Sequence, residues 1–303
     1  MEMTTAPESK TFKKVFLICH PGALGDFILT WPCLLSLRAH YQEHRFIAVG
    51  RGEHMKLAAR FGLIDGYFDV DSRDSVSFFA GQSLPPGMDQ PDGAVLWMKH
   101  SDPIQELLQE TSSLPVLFID PIINNSVHVL EHYFRNIGDA FSVKIPNPIF
   151  QDFPEHAPKS RYAFIHPGSG SERKNFNPDL YKNIAFELGM NGYDKIAFLM
   201  GPAEIERGLP DLFRKEEIIF PENVDSLADW LQNASIYIGN DSGVSHLAGF
   251  LGIPSIVLYK TTDPKIWGVV GRHVTLLSGD NKGSLFDKIQ NWLQQNNPAK
   301  APL

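Results

Sequence analysis

One short pattern occurs twice in this chain. Residues 14–26 read KVFLICHPGALGD and residues 161–172 read RYAFIHPGSGSE. Each copy has a basic residue, an apolar run of strand length, His-Pro-Gly, and a small-residue loop leading towards a helix. One architectural unit used twice explains this; a coincidence of two matches is the alternative. Short apolar runs alternate with helix-period segments after both copies, which predicts βαβ units on parallel sheets. At 303 residues the chain exceeds the usual size of a single core. The expected fold is therefore α/β, with two Rossmann-like domains presenting strand-end loops across a cleft.

In the first half, strands are expected at Val15–Cys19, Phe46–Val49, Tyr67–Val70, Ala94–Met98 and Val116–Ile119. One helix is expected to carry Phe27, Ile28, Trp31, Leu34, Leu35 and Leu37, and a second to span Met55–Phe61. A longer one, Val127–Phe141, has Leu130, Phe134, Ile137 and Phe141 on one face. Pro146, Pro148, Pro154 and Pro158 punctuate the stretch that follows, so residues 143–160 are expected to link a domain at 13–142 to one at 161–303. Residues 1–12 carry no apolar segment and are expected to form a disordered tail, not a signal peptide.

In the second half, strands are expected at Ile196–Met200, Ile218–Phe220, Ser235–Gly239, Ser255–Tyr259 and Val274–Leu277. The helices would be Leu180–Leu188, Glu204–Gly208, Leu227–Gln232, one starting after Gly243, and Ser284–Gln294.

Composition removes several classes. A formal charge of -8 argues against a nucleic-acid binder, which needs a basic stripe. No apolar run reaches the roughly 18 residues of a membrane span. Cys19 and Cys33 are the only cysteines and sit in apolar contexts, as buried thiols of a reducing cytoplasm would.

Four loops fall at expected strand ends. In Gly22–Asp26, glycine allows close backbone approach and Asp26 stands where a helix begins. Asp26 is either an N-cap or a general base for an attacking hydroxyl. In Gly168–Lys174, Ser169 and Ser171 with Arg173 and Lys174 suit a diphosphate, unless the loop is merely solvated. The third loop, Gly201–Glu206, contains Glu204. The fourth, Asn240–His246, opens a helix whose free N–H groups and dipole favour a phosphate, or whose Asp241 and Ser242 simply cap it. Neither a dinucleotide fingerprint nor a P-loop is present. His128-Val129-Leu130-Glu131-His132 matches a zinc-protease pattern, but short motifs match by chance, and no metal is expected.

Three stretches in this order, GALGDFILTWPCLLSLR at 22–38, HPGSGSERKNFNPDLY at 166–181 and GNDSGVSHLAGFLGIPSIVLYKTTDP at 239–264, resemble the ADP-heptose:lipopolysaccharide heptosyltransferases, glycosyltransferase family nine. The resemblance implies a GT-B fold and metal-independent, inverting transfer from a nucleotide-diphosphate sugar, with no cofactor. Asp26 corresponds to the catalytic base and Lys174 to the cation on the leaving group. Ser169, Gly170 and Lys174 fall in the phosphate loop, with Gly25 close to the donor. Asp241, Ser242, Gly243 and His246 match the D-[TS]-G-x-x-H signature, Thr262 the T-D-P turn, and Glu204 a glutamate near the nucleoside.

The implied partners are an ADP-linked sugar donor and a glycolipid or oligosaccharide acceptor of the lipopolysaccharide core. The implied place is the cytoplasm, with peripheral contact at the inner membrane through Trp31, Phe78, Phe79 or Trp97, unless these are core. Closure of the domains over the donor would use residues 143–160 as the hinge. Two departures bear on specificity. Lys260 sits where the family often has a small residue, and the cations of the first half, Arg51, Lys99 and His100, are scattered. The acceptor and the sugar therefore need not be those of the inner core. A non-catalytic sugar-nucleotide-binding protein and a GT-B epimerase are the alternatives.

Overall fold

The computed structural model describes residues 14–296 apart from 111, 123–126, 145, 147–148, 158–160 and 280–281. The expected tail at 1–12, and parts of the expected linker, lie outside the described residues. The chain divides into two compact units, one up to Ile149 and one from Phe150.

Unit one has strands β1 (Lys14–His20), β2 (His44–Gly50), β3 (Gly66–Asp69), β4 (Pro91–Leu96) and β5 (Val116–Phe118). They form one parallel sheet in the order β3-β2-β1-β4-β5. Its helices are α1 (Leu24–Ile28), α2 (Trp31–His40), α3 (Gly52–Arg60), α4 (Arg73–Phe79), α5 (Asp102–Gln109) and α6 (Val129–Phe141). β1 is apolar on both faces and buried over six of its seven residues, as a central parallel strand must be.

The single helix expected after β1 is two helices. Thr30 donates its hydroxyl to the Phe27 carbonyl, and Pro32, which has no N–H, opens the second. The helices α4 and α5 have no counterpart among the helices expected from the sequence; they lie on either side of the Pro/Gly-containing stretch at residues 83–92. α6 starts at Val129, so His128 is its N-cap and accepts from the Leu130 N–H.

Unit two has β6 (Tyr162–His166), β7 (Lys195–Leu199), β8 (Glu217–Ile219), β9 (Ala234–Asn240), β10 (Ser255–Tyr259) and β11 (Val274–Ser278). All pairings are parallel, in the order β11-β10-β9-β6-β7-β8. Counted from β6, this is the doubly wound order 3-2-1-4-5-6 written from its other edge. Its helices are α7 (Pro178–Met190), α8 (Pro202–Glu206), α9 (Val224–Leu231), α10 (Gly243–Phe250), α11 (Pro264–Trp267) and α12 (Lys282–Gln295).

One core joins Leu180, Tyr181, Ile184 and Leu188 of α7 to Leu285, Ile289 and Leu293 of α12 over the sheet. Gly252, at φ 75°, ends α10 in a left-handed conformation that suits glycine. Residues 150–157 belong to this unit: Phe153 stacks near Phe250, and His156 Nε2 donates to the Ala234 carbonyl at 2.6 Å.

Trp31, Phe78 and Trp97 are buried, and Phe79 is packed against the core of unit one. The aromatic side chains expected as membrane contacts are therefore core. Among the described residues, no helix is long and apolar enough to cross a membrane. Both cysteines are fully buried free thiols, and burial pushes Cys19 up to about 12. Native protein is accordingly expected to resist thiol reagents at neutral pH, both groups reacting only after denaturation; rapid native labelling counted by mass spectrometry would contradict this burial.

Candidate active site

In a doubly wound sheet, ligands collect at the carboxyl ends of the two strands where the winding reverses. In unit two these are β6 and β9, paired so that His166 lies opposite Gly239. The loop after β6 and the loop after β9 therefore leave the sheet side by side. They contain Ser169, Gly170 and Lys174, and Asp241, Ser242, Gly243 and His246 respectively.

The two loops meet through charge. Lys174 Nζ lies 2.7 Å from Asp241 Oδ2, with side-chain exposures of 33% and 6%. A carboxylate so far removed from water needs a counter-charge, and Lys174 supplies it. His246 Nε2 is 3.9 Å from the other carboxylate oxygen. Three residues carried over from the resemblance thus converge, although they lie up to 72 positions apart (246 − 174).

Ser242 is the N-cap of α10; its hydroxyl accepts from the Ser245 N–H at 3.4 Å. The capping role and a phosphate-binding role coexist here, because one cap leaves other first-turn N–H groups available. Ser245 in turn meets the buried Tyr237 hydroxyl at 2.9 Å and donates to the Asn240 carbonyl.

The loop after β6 is held from within. The Ser169 hydroxyl lies 2.7 Å from both the Ser171 carbonyl and Asn175 Oδ1. A short 3₁₀ turn, Glu172–Lys174, aims Lys174 at Asp241. Arg207, which the sequence did not single out, donates to the carbonyls of Ser169 and Gly170 at 2.7 and 3.2 Å. Gly170 is exposed, and a Cβ there would meet nothing within 4 Å.

Glu204 is buried behind this loop; its Oε2 accepts from the Gly201 N–H at 2.8 Å. A Cβ at Gly168 would lie 1.9 Å from Glu204 Oε1, so a larger residue there requires the Glu204 side chain to move. His166 Nδ1 donates to the Leu199 carbonyl at 2.9 Å, as expected of a strand-end histidine. Thr262 stands half-buried in the turn after β10, ahead of α11.

In unit one, the loop after β1 leads into α1. Asp26 is exposed in the first turn, but the N-cap position belongs to Ala23, so Asp26 is not a capping residue. Burial, with the Asp26 charge as a second cause, raises the Tyr133 phenol above its ordinary range. Gly25 accepts the Leu29 N–H that closes α1. His20 is buried at the end of β1 beside the rings of Phe27 and Trp97.

The zinc-protease pattern dissolves: His128 caps α6, and Glu131 pairs with Arg135 at 2.8 Å. Among the described residues, no group of three or more His, Cys, Asp or Glu could hold a metal ion.

Glycosyltransferase family 9 (heptosyltransferase) matches residues 140–294. The chain belongs to this family, and it is a glycosyltransferase. Its fold is GT-B, with two parallel-sheet α/β domains.

Among solved structures, the chain is similar to the E. coli heptosyltransferase WaaC with ADP, at 17% identity and TM-score 0.72, covering 93% of this chain and 99% of that one. It is similar to E. coli ADP-heptose lps heptosyltransferase II at 13% identity and TM-score 0.71, with the same two coverages. A family 9 glycosyl transferase from Veillonella parvula DSM 2008 matches at 16% identity and TM-score 0.70, covering 93% and 92%. No curated protein matches the sequence.

Two measurements test this description. Gly168→Ala forces the Glu204 side chain out of its buried seat and is expected to cost about 1–3 kcal/mol in urea unfolding. Glu204→Ala removes the obstacle, so the double variant should be less unstable than the two losses added together; strict additivity would mean the contact is unimportant.

The second concerns acid. Burial, assisted by the charge of His54, holds His20 down at about 3. The unfolded histidine protonates near about 6.5, so between these values the unfolded state binds more protons and stability falls as pH falls. At pH about 5 this single group should remove about 2 kcal/mol relative to neutral pH. His20→Gln is expected to flatten that slope, and an unchanged slope would assign it elsewhere.

Proposed function

We propose that the chain is an inverting, metal-independent glycosyltransferase that moves heptose from ADP-heptose onto a lipopolysaccharide-core or other envelope glycan acceptor. The observation that carries the reading is the Lys174–Asp241 pair beside the N-terminus of α10, at the switch point of unit two. A dianionic diphosphate seated there would meet an ammonium and unpaired backbone N–H groups together.

The chemistry is a direct displacement. The acceptor hydroxyl oxygen forms a bond to the anomeric carbon while the bond from that carbon to the diphosphate oxygen breaks. Asp26 takes the hydroxyl proton. The electron pair of the broken bond leaves with the nucleoside diphosphate, where Lys174 and the N–H groups at Ser242 and Gly243 stabilise the charge. As Lys174 turns to the phosphates, Asp241 is freed to accept from a sugar hydroxyl, while His246, with Ser242 and Gly243, serves the diphosphate. Ser169, Gly170 and Thr262 complete the donor side of unit two, Glu204 supports the nucleoside end from behind, and Gly25 is assigned to the donor by the family resemblance alone.

Fixed charges and dipoles of this kind can do the work of a divalent ion. The family's expectation places the reaction in the cytoplasm, with the acceptor presented at the inner membrane.

Calorimetric titration with ADP, UDP and GDP in the absence of metal tests the donor. Preferential micromolar binding of ADP is expected, and Lys174→Ala should weaken it by about 1.5–3 kcal/mol, the range for a hydrogen bond to a charged group. Asp26→Ala should leave that binding intact while lowering transfer about 10²–10⁴-fold. Wild-type turnover in Asp26→Ala would end the base assignment. Preference for UDP or GDP would exclude heptose, and binding of none of the three would favour a scaffold.

A further inference from the structure

The side chain just before Asp241 makes several polar contacts in the donor region, and the reaction above makes no use of it. Asn240 ends β9 and is fully buried. Its Nδ2 donates to the Pro167 carbonyl at 2.7 Å and lies 3.3 Å from the Gly168 carbonyl and 3.2 Å from Asn175 Oδ1. Its Oδ1 accepts from the Tyr181 hydroxyl. Backbone carbonyls only accept, which fixes the orientation of the amide. Tyr181, itself fully buried, is also hydrogen-bonded to the backbone of Phe176.

These partners are not scattered. Pro167 and Gly168 form the stem by which the loop leaves β6; Asn175 and Phe176 form the stem by which it returns towards α7. A single carboxamide therefore ties both ends of the loop, directly on one side and through Asn175 and Tyr181 on the other. Between the stems runs the segment carrying Ser169, Gly170 and Lys174. Ser169 adds a bond to Asn175, and Lys260 Nζ donates to the Asn175 carbonyl at 2.8 Å. The next residue after Asn240 is Asp241, which holds the loop at its tip through Lys174. One dipeptide thus grips the loop at base and tip.

We propose that Asn240 is the positioning residue of the donor site, clamping both stems of the 167–176 loop and thereby setting where Lys174 meets the diphosphate. This rests on the donor-site reading above. A buried network satisfied at every member is stiff, and loss of one member leaves the others unpaired in a dry environment. A site of this kind has to hold its cation within about 0.5 Å of the productive place.

The test uses the full chain and two variants. Asn240→Ala removes the clamp but empties a buried position, so Asn175→Ala, on a half-buried loop residue, serves as the second. Each is expected to weaken ADP about tenfold, equivalent to about 1.4 kcal/mol. Amide hydrogen exchange over 169–174 should speed up, while the melting temperature of Asn175→Ala stays within a few degrees of wild type.

The discriminating measurement is a double-mutant cycle: in a Lys174→Ala background, Asn175→Ala should have no further effect on ADP affinity. Additive losses, or unchanged ADP affinity alongside a lowered melting temperature, would make the network merely structural and overturn the proposal. If wild-type protein binds no nucleoside diphosphate, the donor-site reading fails separately. The clamp is then judged by exchange alone, and unchanged protection of 169–174 in Asn175→Ala refutes it.

Discussion

The pairing of β6 with β9 is the constraint from which the donor region follows. These strands belong to the first and fourth positions of a doubly wound sheet, so one is wound outward in each direction and their end loops have no crossover helix between them. That opens a gap at the carboxyl edge, and the chain fills it with charge. Asp241 is nearly removed from water, and its ionised form is tolerable because Lys174 reaches it from the neighbouring strand's loop. In the proposed reaction this pair is exchanged: the ammonium at the helix N-terminus turns from the carboxylate to the diphosphate, and the carboxylate takes a sugar hydroxyl in its place. The switch point provides the place and the ion pair provides the poise.

Much of this was legible. The repeated strand–His-Pro-Gly–loop unit marks β1 and β6, and alternation of apolar runs recovers the strand sequence because strands of parallel sheets are buried on both faces. The three stretches behind the family resemblance contain Lys174 and Asp241, which the structure brings together. The misses have separate physical causes. The break between α1 and α2 depends on the Thr30 side chain bonding back to Phe27 and on Pro32, whereas hydrophobic period alone runs through it. α4 and α5 are short amphipathic helices in a segment of Pro, Gly and charged residues, where tertiary burial of Phe78, Ile104 and Leu108 outweighs weak local propensity. Asn240 sat in plain view within Asn-Asp-Ser-Gly, yet nothing in a sequence says that its amide turns inward while Asp241 meets a lysine 67 positions upstream in the sequence (241 − 174).

The two units use the same motif for different ends. In unit two the small-residue loop is strapped from several sides, by Asn240, Arg207, Lys260 and its own Ser169, which suits a site that must hold a diphosphate in one place. In unit one the corresponding loop runs into a helix of only five residues, with Asp26 on its exposed face. In the proposed division of labour the electrostatic work falls on the strapped loop of unit two and the proton on Asp26 of unit one.

Lys260 adds to this rigidity from the exposed side. In sequence it stands where a small residue is expected and reads as an intrusion on the donor. In the fold its ammonium is turned to the Asn175 carbonyl and over the Phe176 ring, 5.8 Å from the ring centroid. It also borders a cavity of about 360 Å³ lined by Phe176, Tyr181, Leu209 and Phe213. Its charge therefore acts on the returning stem of the loop, adjacent to the bonds that Asn240 makes with the same residue. An exposed cation on a carbonyl contributes little stability by itself, but applied to a network already tied at its buried side it restricts the remaining freedom of Asn175. The lysine that in sequence looks like an intrusion on the donor pocket thus reads, in three dimensions, as an outer fastening for the loop that carries Lys174.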